Sequence, residues 1–168
     1  MSKNTMKTIP DGYTTVTPWI ISRDSAKLIE FLEKAFDATE IEGSRMMDPE
    51  GDIGHVEVKI GTSIVMLFDS KDSWIETPGF FRLYLEDADK TYEKALQAGA
   101  TSVTKITDTA WGDRIGRVRD PFGNIWWLQS HVAEVPYAEM MKRMKEPKWI
   151  EMMQYVQQSL AKALTRKK

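Results

Sequence analysis

His55 and Glu57 stand two residues apart in the run His55-Val56-Glu57-Val58-Lys59-Ile60. On an extended strand alternate side chains share a face, so the imidazole and the carboxylate point the same way. Such a pair could exchange a proton with a bound molecule or supply two ligands to a metal ion. A catalytic metal normally takes a third protein ligand. The one other histidine is His131, with Asp113 eighteen positions earlier, and nothing in the spacing brings these two to the first pair. The expected state of His55 and Glu57 is therefore a charged pair at a cavity mouth, with Glu57 balanced by Arg82 or Lys59.

Other reactive groups are scarce. The chain has no cysteine, which excludes disulfides, thiolate metal sites and a cysteine nucleophile. It has neither a glycine-rich phosphate loop nor a Gly-x-Ser-x-Gly elbow. What it has instead is aromatic side chains. Three of its six tryptophans fall in the stretch WGDRIGRVRDPFGNIWWLQSH, residues 111–131. Aromatic rings stack on planar molecules and attract cations.

The elements that would position these groups alternate along the chain. TVTPWIIS reads as a strand, and RDSAKLIEFLEKAF as a helix with Ala26, Ile29, Leu32 (or Glu33) and Phe36 near helical spacing and Asp24 or Ser25 as its cap. ATEIEGSRMM, HVEVKIG and SIVMLFDS follow as strands, the last two joined by a two-residue turn at Gly61-Thr62. The order then repeats. FFRLYLE is a strand, DADKTYEKALQAG a helix stopped at Gly99 and TSVTKITD a strand, while DRIGRVRD and NIWWLQS form a hairpin across PFG. Asp24 and Asp87 precede the two helices, and a repeat of about 62 residues describes a duplicated module rather than a solenoid.

Strand alternation sorts the faces. With a turn at Gly61-Thr62, Glu57 lies opposite Met66, His55 opposite Phe68 and Val58 opposite Val65. Val56, Val58, Ile60, Val65 and Leu67 then form an aliphatic face to go under a helix, and His55, Glu57, Lys59, Ile64, Met66 and Phe68 a mixed face suited to a cavity. Phe81, Leu83 and Leu85 turn to the helices, with Phe80, Arg82 and Tyr84 opposite. Trp126 and Leu128 pack, while Ile125, Trp127 and Gln129 face inward. Ile115 and Val118 fall on opposite faces, which implies a bulge and leaves Arg114, Arg117 and Arg119 without an assigned direction. Asp120-Pro121-Phe122-Gly123 is a turn. Asp113-Arg114 is an ion pair or a cap bracing the loop, and Trp111 a lid or a packing plug.

The segments TPWIISRDSAKLIEFLEKAFDA, GHVEVKIGTSIVMLFDS and WGDRIGRVRDPFGNIWWLQSH, in that order and spacing, resemble the glyoxalase/bleomycin resistance/extradiol dioxygenase (vicinal oxygen chelate) superfamily, and its PhnB-like branch in particular. The resemblance covers roughly residues 14–133. It implies an α+β fold of two βαβββ modules, about 14–70 and 79–131, forming curved sheets within a domain of residues 1–133, followed by a helical extension over 134–168. Asp37 stands where that branch usually has glycine, which implies a looser helix end. Metal-dependent members resembling glyoxalase I carry His, Gln or Glu on the first and last strands of each module. Matched to this chain, those positions are Thr17, Met66, Phe80 and Trp127. None offers the imidazole, carboxylate or amide oxygen that a divalent ion needs, so neither metal nor cofactor is expected. Thr17, Trp19, Met66, Phe68, Phe80, Tyr84 and Trp127 would instead line an aromatic surface, with His55, Glu57, Arg82 and Gln129 as orienting polar groups. The alternative is that these rings fill a core.

In the extension, Trp149, Met152 (or Met153), Val156, Leu160 and Leu164 recur at helical spacing beyond Pro147. That stripe covers either its own domain or a partner subunit, and a homodimer is expected. The 23 basic against 25 acidic residues, net charge −2, give no reason to expect nucleic acid. The terminal Thr-Arg-Lys-Lys reads as a solvated end. The longest aliphatic and aromatic run, Ile64–Phe68, is too short to span a bilayer, and no signal peptide is seen at the N-terminus, so a cytoplasmic location is expected.

The function expected is binding of a planar or hydrophobic small molecule without metal. One alternative is a lyase or other enzyme with a site rebuilt around His55 and Glu57, and another is a structural or interaction module with a filled barrel. Elemental analysis of protein purified without chelators is expected to show no stoichiometric divalent metal. One equivalent would overturn the mapping of Thr17, Met66, Phe80 and Trp127.

Overall fold

A computed structural model describes residues 7–165, so the terminal cluster Arg166, Lys167 and Lys168 lies outside the described residues. Two compact units meet in sequence between Thr77 and Pro78. Each has the same order of elements, a strand, a helix and an antiparallel set of strands whose last member returns parallel to the first.

In the first unit, β1 (Trp19–Ser22) leads to α1 (Ser25–Phe36), short strands β2 (Thr39–Glu40) and β3 (Met46–Met47), then β4 (Ile53–Ile60) and β5 (Ser63–Asp69). The sheet order is β1-β5-β4-β2, with β3 also on β4. Gly61 and Thr62 turn the hairpin, so that Ile60 pairs with Ser63, Val58 with Val65 and Glu57 with Met66. Val56, Val58, Ile60, Val65 and Leu67 are all buried beneath α1, which contributes Leu28, Ile29, Phe31, Leu32, Ala35 and Phe36. The buried helix face is thus wider than the expected Ala26-Ile29-Leu32-Phe36 stripe.

Asp24 caps α1 by accepting from the Lys27 N–H at 2.9 Å. At the other end Asp37 adopts the left-handed conformation, φ 53° and ψ 35°. Its own N–H and that of Ala38 both return to the Leu32 carbonyl. The helix therefore closes with a left-handed residue despite the missing glycine, because aspartate is one of the few residues that tolerate this conformation. The expected strand over ATEIEGSRMM is reduced to β2 and β3, separated by a turn in which the Ser44 N–H bonds the Ile41 carbonyl.

In the second unit, β6 (Phe80–Tyr84), α2 (Ala88–Gln97), β7 (Thr101–Asp108), β8 (Asp113–Arg119) and β9 (Ile125–His131) make a sheet ordered β6-β9-β8-β7. The two units share a joint between the end of the last strand and the start of the helix. Asp69 accepts the Ser25 N–H at 2.6 Å in the first, and Ser130 accepts the Ala88 N–H at 2.7 Å in the second. Each ties an otherwise unpaired helix N–H to the sheet.

The β8–β9 ladder runs unbroken from Asp113↔His131 to Arg119↔Ile125. No bulge separates Ile115 from Val118. The irregularities lie in the β7–β8 pairing. Ile115 and Val118 are both buried because both faces of the sheet are covered, and this corrects the reading that treated one face as open. One cover is α2. The other is the tail, in which α3 (Tyr137–Arg143) is followed by α4 (Pro147–Leu164), with Pro147 in the first turn of the second helix. Met152 and Val156 of α4 pack with Ile115, flanked by Trp111, Trp127, Trp149 and Met153. The first half of the stripe thus lies on its own unit while Leu164 is exposed, and Trp111 is a packing plug.

Asp120 holds the turn between β8 and β9. Its buried carboxylate accepts from the N–H groups of Phe122 (2.9 Å) and Asn124 (3.0 Å), from Asn124 Nδ2 (2.8 Å) and from the Trp126 indole (2.9 Å). Gly123, at φ 95°, completes the turn. Asp120→Ala leaves four donors unpaired and is expected to cost about 3 kcal/mol or more, read as a lowered urea midpoint with an unchanged slope.

Candidate functional site

The mixed face of β4 and β5 carries a connected group of titratable side chains in the first unit. The Glu57 carboxylate accepts from the Tyr13 hydroxyl at 2.5 Å through one oxygen and lies 3.2 Å from His55 Nε2 through the other. Its backbone N–H is held by Ser44 Oγ at 3.0 Å. Within this unit Lys59 is exposed and does not provide the expected balance. A phenol and an imidazole do so, and Tyr13 was not foreseen because it lies 44 residues away in a segment without regular structure. The carboxylate beside it pushes the Tyr13 phenol up, with burial adding to the effect.

Rings surround this polar centre. Trp19 sits 5.5 Å from the His55 ring and 5.5 Å from Phe68, and Phe68 meets Trp74 edge-on at 6.1 Å. Trp19 is paired in register with Met66 and is 50% exposed. Thr17 lies just before β1, its hydroxyl donating to the Thr14 carbonyl at 3.4 Å. The unit thus brings Trp19, His55, Glu57, Met66 and Phe68 onto one face, adds Tyr13 and Trp74, and leaves Thr17 at the margin.

In the second unit one row crosses the whole sheet. Arg82 pairs with Trp127, Trp127 with Arg117 and Arg117 with Thr104. The Arg82 guanidinium stands 4.2 Å from the Trp127 ring centre and that of Arg117 3.9 Å. This is the geometry of cation–π attraction. Phe80 and Tyr84 flank Arg82 on β6 and are 50% and 74% exposed. Gln129 is buried, with its amide nitrogen donating to Asp113 at 2.6 Å, so it braces a neighbour rather than standing free.

The three arginines of β8 now have directions. Arg114 bonds Asp89 of α2 and Asp108, and Arg117 and Arg119 face α4. Asp113 does not pair with Arg114. The two are adjacent on a strand and point to opposite faces, and Asp113 instead accepts from His131 Nδ1 at 2.7 Å.

The positions to which the resemblance assigns metal ligands carry other groups in each unit. Met66 and Phe80 present a thioether and a hydrocarbon ring, Thr17 is bonded to backbone, and the Trp127 ring carries two cations. Among the described residues, one group of three acidic side chains is close enough to hold a metal, Asp48, Glu50 and Asp52 in the loop before β4. Lys71 Nζ already sits among them at 2.6, 2.8 and 2.7 Å. The sequence reading missed this cluster because its cation arrives from beyond the next two strands.

A sequence profile described as the Glyoxalase/Bleomycin resistance protein/Dioxygenase superfamily matches residues 12–128. An uncharacterized protein of Mycobacterium bovis is 37% identical over 140 residues, covering 77% of this chain and 91% of its own length. An uncharacterized protein of Mycobacterium tuberculosis is 37% identical over 140 residues, covering 77% and 81%. Among solved structures, TioX from Micromonospora sp. ML1 is similar with a TM-score of 0.59 at 22% identity, over 71% of this chain and 99% of that one. A fosfomycin resistance protein from Mesorhizobium loti aligns with a TM-score of 0.52 at 17% identity, over 76% and 97%.

His131 offers a test of this geometry. The Asp113 carboxylate, and then Glu134, raise its pKa above the ordinary histidine value. A raised folded-state pKa gives stability that is complete below about pH 6.5 and is lost as pH rises through the folded value. The melting temperature is expected to fall across that interval in the wild type and to fall less in His131→Gln, measured by thermal melts from pH 5.5 to 9.

Proposed function

The chain belongs to the Glyoxalase/Bleomycin resistance protein/Dioxygenase superfamily, and from that premise we propose that it binds a planar, largely apolar small molecule without using a metal. The observation that carries this reading is the half-exposed Trp19 beside Phe68, with the Glu57 carboxylate and His55 at its edge. Rings give area for stacking, and a fixed carboxylate gives one directional contact. On this reading Thr17, Trp19, His55, Glu57, Met66 and Phe68 are the candidate ligand contacts of the first unit, and Phe80, Arg82, Tyr84, Trp127 and Gln129 are those of the second. Residues 1–133 form the binding domain, of the PhnB-like branch, and 134–168 its extension. The protein acts as a cytoplasmic homodimer. Exposed Phe80 and Tyr84 support an association of this kind, and light scattering of the purified chain tests it. No helix among the described residues is long and apolar enough to cross a membrane.

A second reading, an enzyme of the superfamily with Glu57 as proton acceptor, is favoured by the contact of Tyr13, Glu57 and His55. It requires turnover that disappears in Glu57→Gln.

The binding reading is tested with the neutral planar probe 2-naphthamide, titrated by calorimetry into the full chain. Trp19→Ala is expected to weaken binding about tenfold, the loss of one stacking partner worth about 1 kcal/mol or slightly more. Equal affinity in wild type and variant would remove Trp19 from the site.

A further inference from the structure

Arg117 is 3% exposed, and no acidic side chain pairs with it among the described residues. A buried guanidinium without a carboxylate is costly, and burial, with Arg82 nearby, pushes its pKa down to about 10. One of its nitrogens, Nη1, donates to Thr104 Oγ1 at 3.1 Å and to the backbone carbonyl of Val156, in the middle of α4, at 2.8 Å. Nε has no partner, and the buried indole Nε1 of Trp127 beside it has none either. Two guanidiniums therefore stack on one indole, two buried donors lack partners, and the acceptors present, the Thr104 hydroxyl and the Val156 carbonyl, are both neutral.

The helix that supplies this acceptor is lightly held. Of its eighteen residues only Met152 and Val156 are buried. Its polar attachments to the sheet are the Lys105 N–H to Tyr155 Oη (2.7 Å), Thr104 Oγ1 with Ser159 Oγ (2.8 Å), Arg117 to Val156, and Arg119 to the Ala163 carbonyl (2.7 Å). It also lies beyond residues 12–128, which the family profile matches.

We propose that the Arg82–Trp127–Arg117 row is a subsite for the carboxylate of a planar aromatic acid, and that α4 is its displaceable cover, with the Val156 carbonyl occupying the place of a ligand oxygen. An anionic carboxylate satisfies the orphaned donors and neutralises the unpaired charge, which a carbonyl cannot do. The aromatic body stacks on the rings exposed when α4 leaves. The inference rests on the reading that this chain binds a planar small molecule, and it assigns the second unit an acidic ligand and a closed state.

The test compares 2-naphthoate with 2-naphthamide, which share the ring system and differ in charge. Calorimetry on the full chain is expected to show naphthoate binding at least about tenfold more tightly, a charge-assisted contact of about 1.5 kcal/mol or more. Arg117→Gln should erase that preference. The double variant Tyr155→Phe/Ser159→Ala, which leaves Arg117 intact and loosens α4, should raise naphthoate affinity about tenfold. Hydrogen exchange over residues 147–164 should quicken when naphthoate is added to the wild type. Equal affinity for acid and amide, a preference that survives Arg117→Gln, or slower exchange in α4 on adding naphthoate would each overturn the proposal. Amide binding that still depends on Trp19 would in those cases leave the binding reading standing.

Discussion

The sheet of the second unit carries large apolar side chains on both faces, and an antiparallel pair of strands with that pattern must be covered twice. Val118, Trp126 and Leu128 require α2 above one face, and Ile115 and Trp127 require a cover on the other. The chain meets the second demand with α4. Much else follows from this arrangement, since burying Ile115 with α4 also takes Arg117, two residues further along the same strand, out of water. The charge of that arginine is then held by the Trp127 ring on one side and by a helix carbonyl on the other.

The two units apply one template to different chemistry. At matching register positions the first has Trp19 beside Met66 and the second Arg82 beside Trp127. A carboxylate, Glu57, centres the polar group of one face, and guanidiniums centre that of the other. The joint between last strand and helix is conserved in geometry but not in residue type, Asp69 in one unit and Ser130 in the other. Backbone demands are thus met alike in both units, while the side chains on the faces turned away from α1 and α2 differ.

Local pattern made much of this legible. The turn at Gly61-Thr62 set the β4–β5 register, and from it the split between the aliphatic and mixed faces follows by alternation alone. Asp24 and Asp87 marked the helix starts, and Pro147 the start of α4. Alternation misled where its premise failed. A strand buried on one face has its apolar residues two apart, so Ile115 and Val118 looked like a bulge. With both faces covered they need no irregularity, and the direction of Arg117 could not be read until α4 was in place. Partners distant along the chain were equally invisible. Tyr13 reaches Glu57 from an irregular segment, and Asp113 reaches His131 only once the β8–β9 ladder is formed.

Lys71 gives the first unit a feature of a different kind. Its ammonium occupies a nest of three carboxylates from a single five-residue loop, and Asp48 further accepts the N–H groups of Glu50 and Asp52. The pull is mutual. The carboxylates hold the lysine firmly protonated, and Lys71 holds Asp48 below the usual carboxylate range. The chain has, in effect, built a counter-ion into its own covalent structure. A loop stabilised in this way needs no bound ion from solution, because its cation cannot diffuse away. It depends instead on the charge of one amine, so a chemical change that neutralised Lys71 would leave three like charges facing one another with nothing between them.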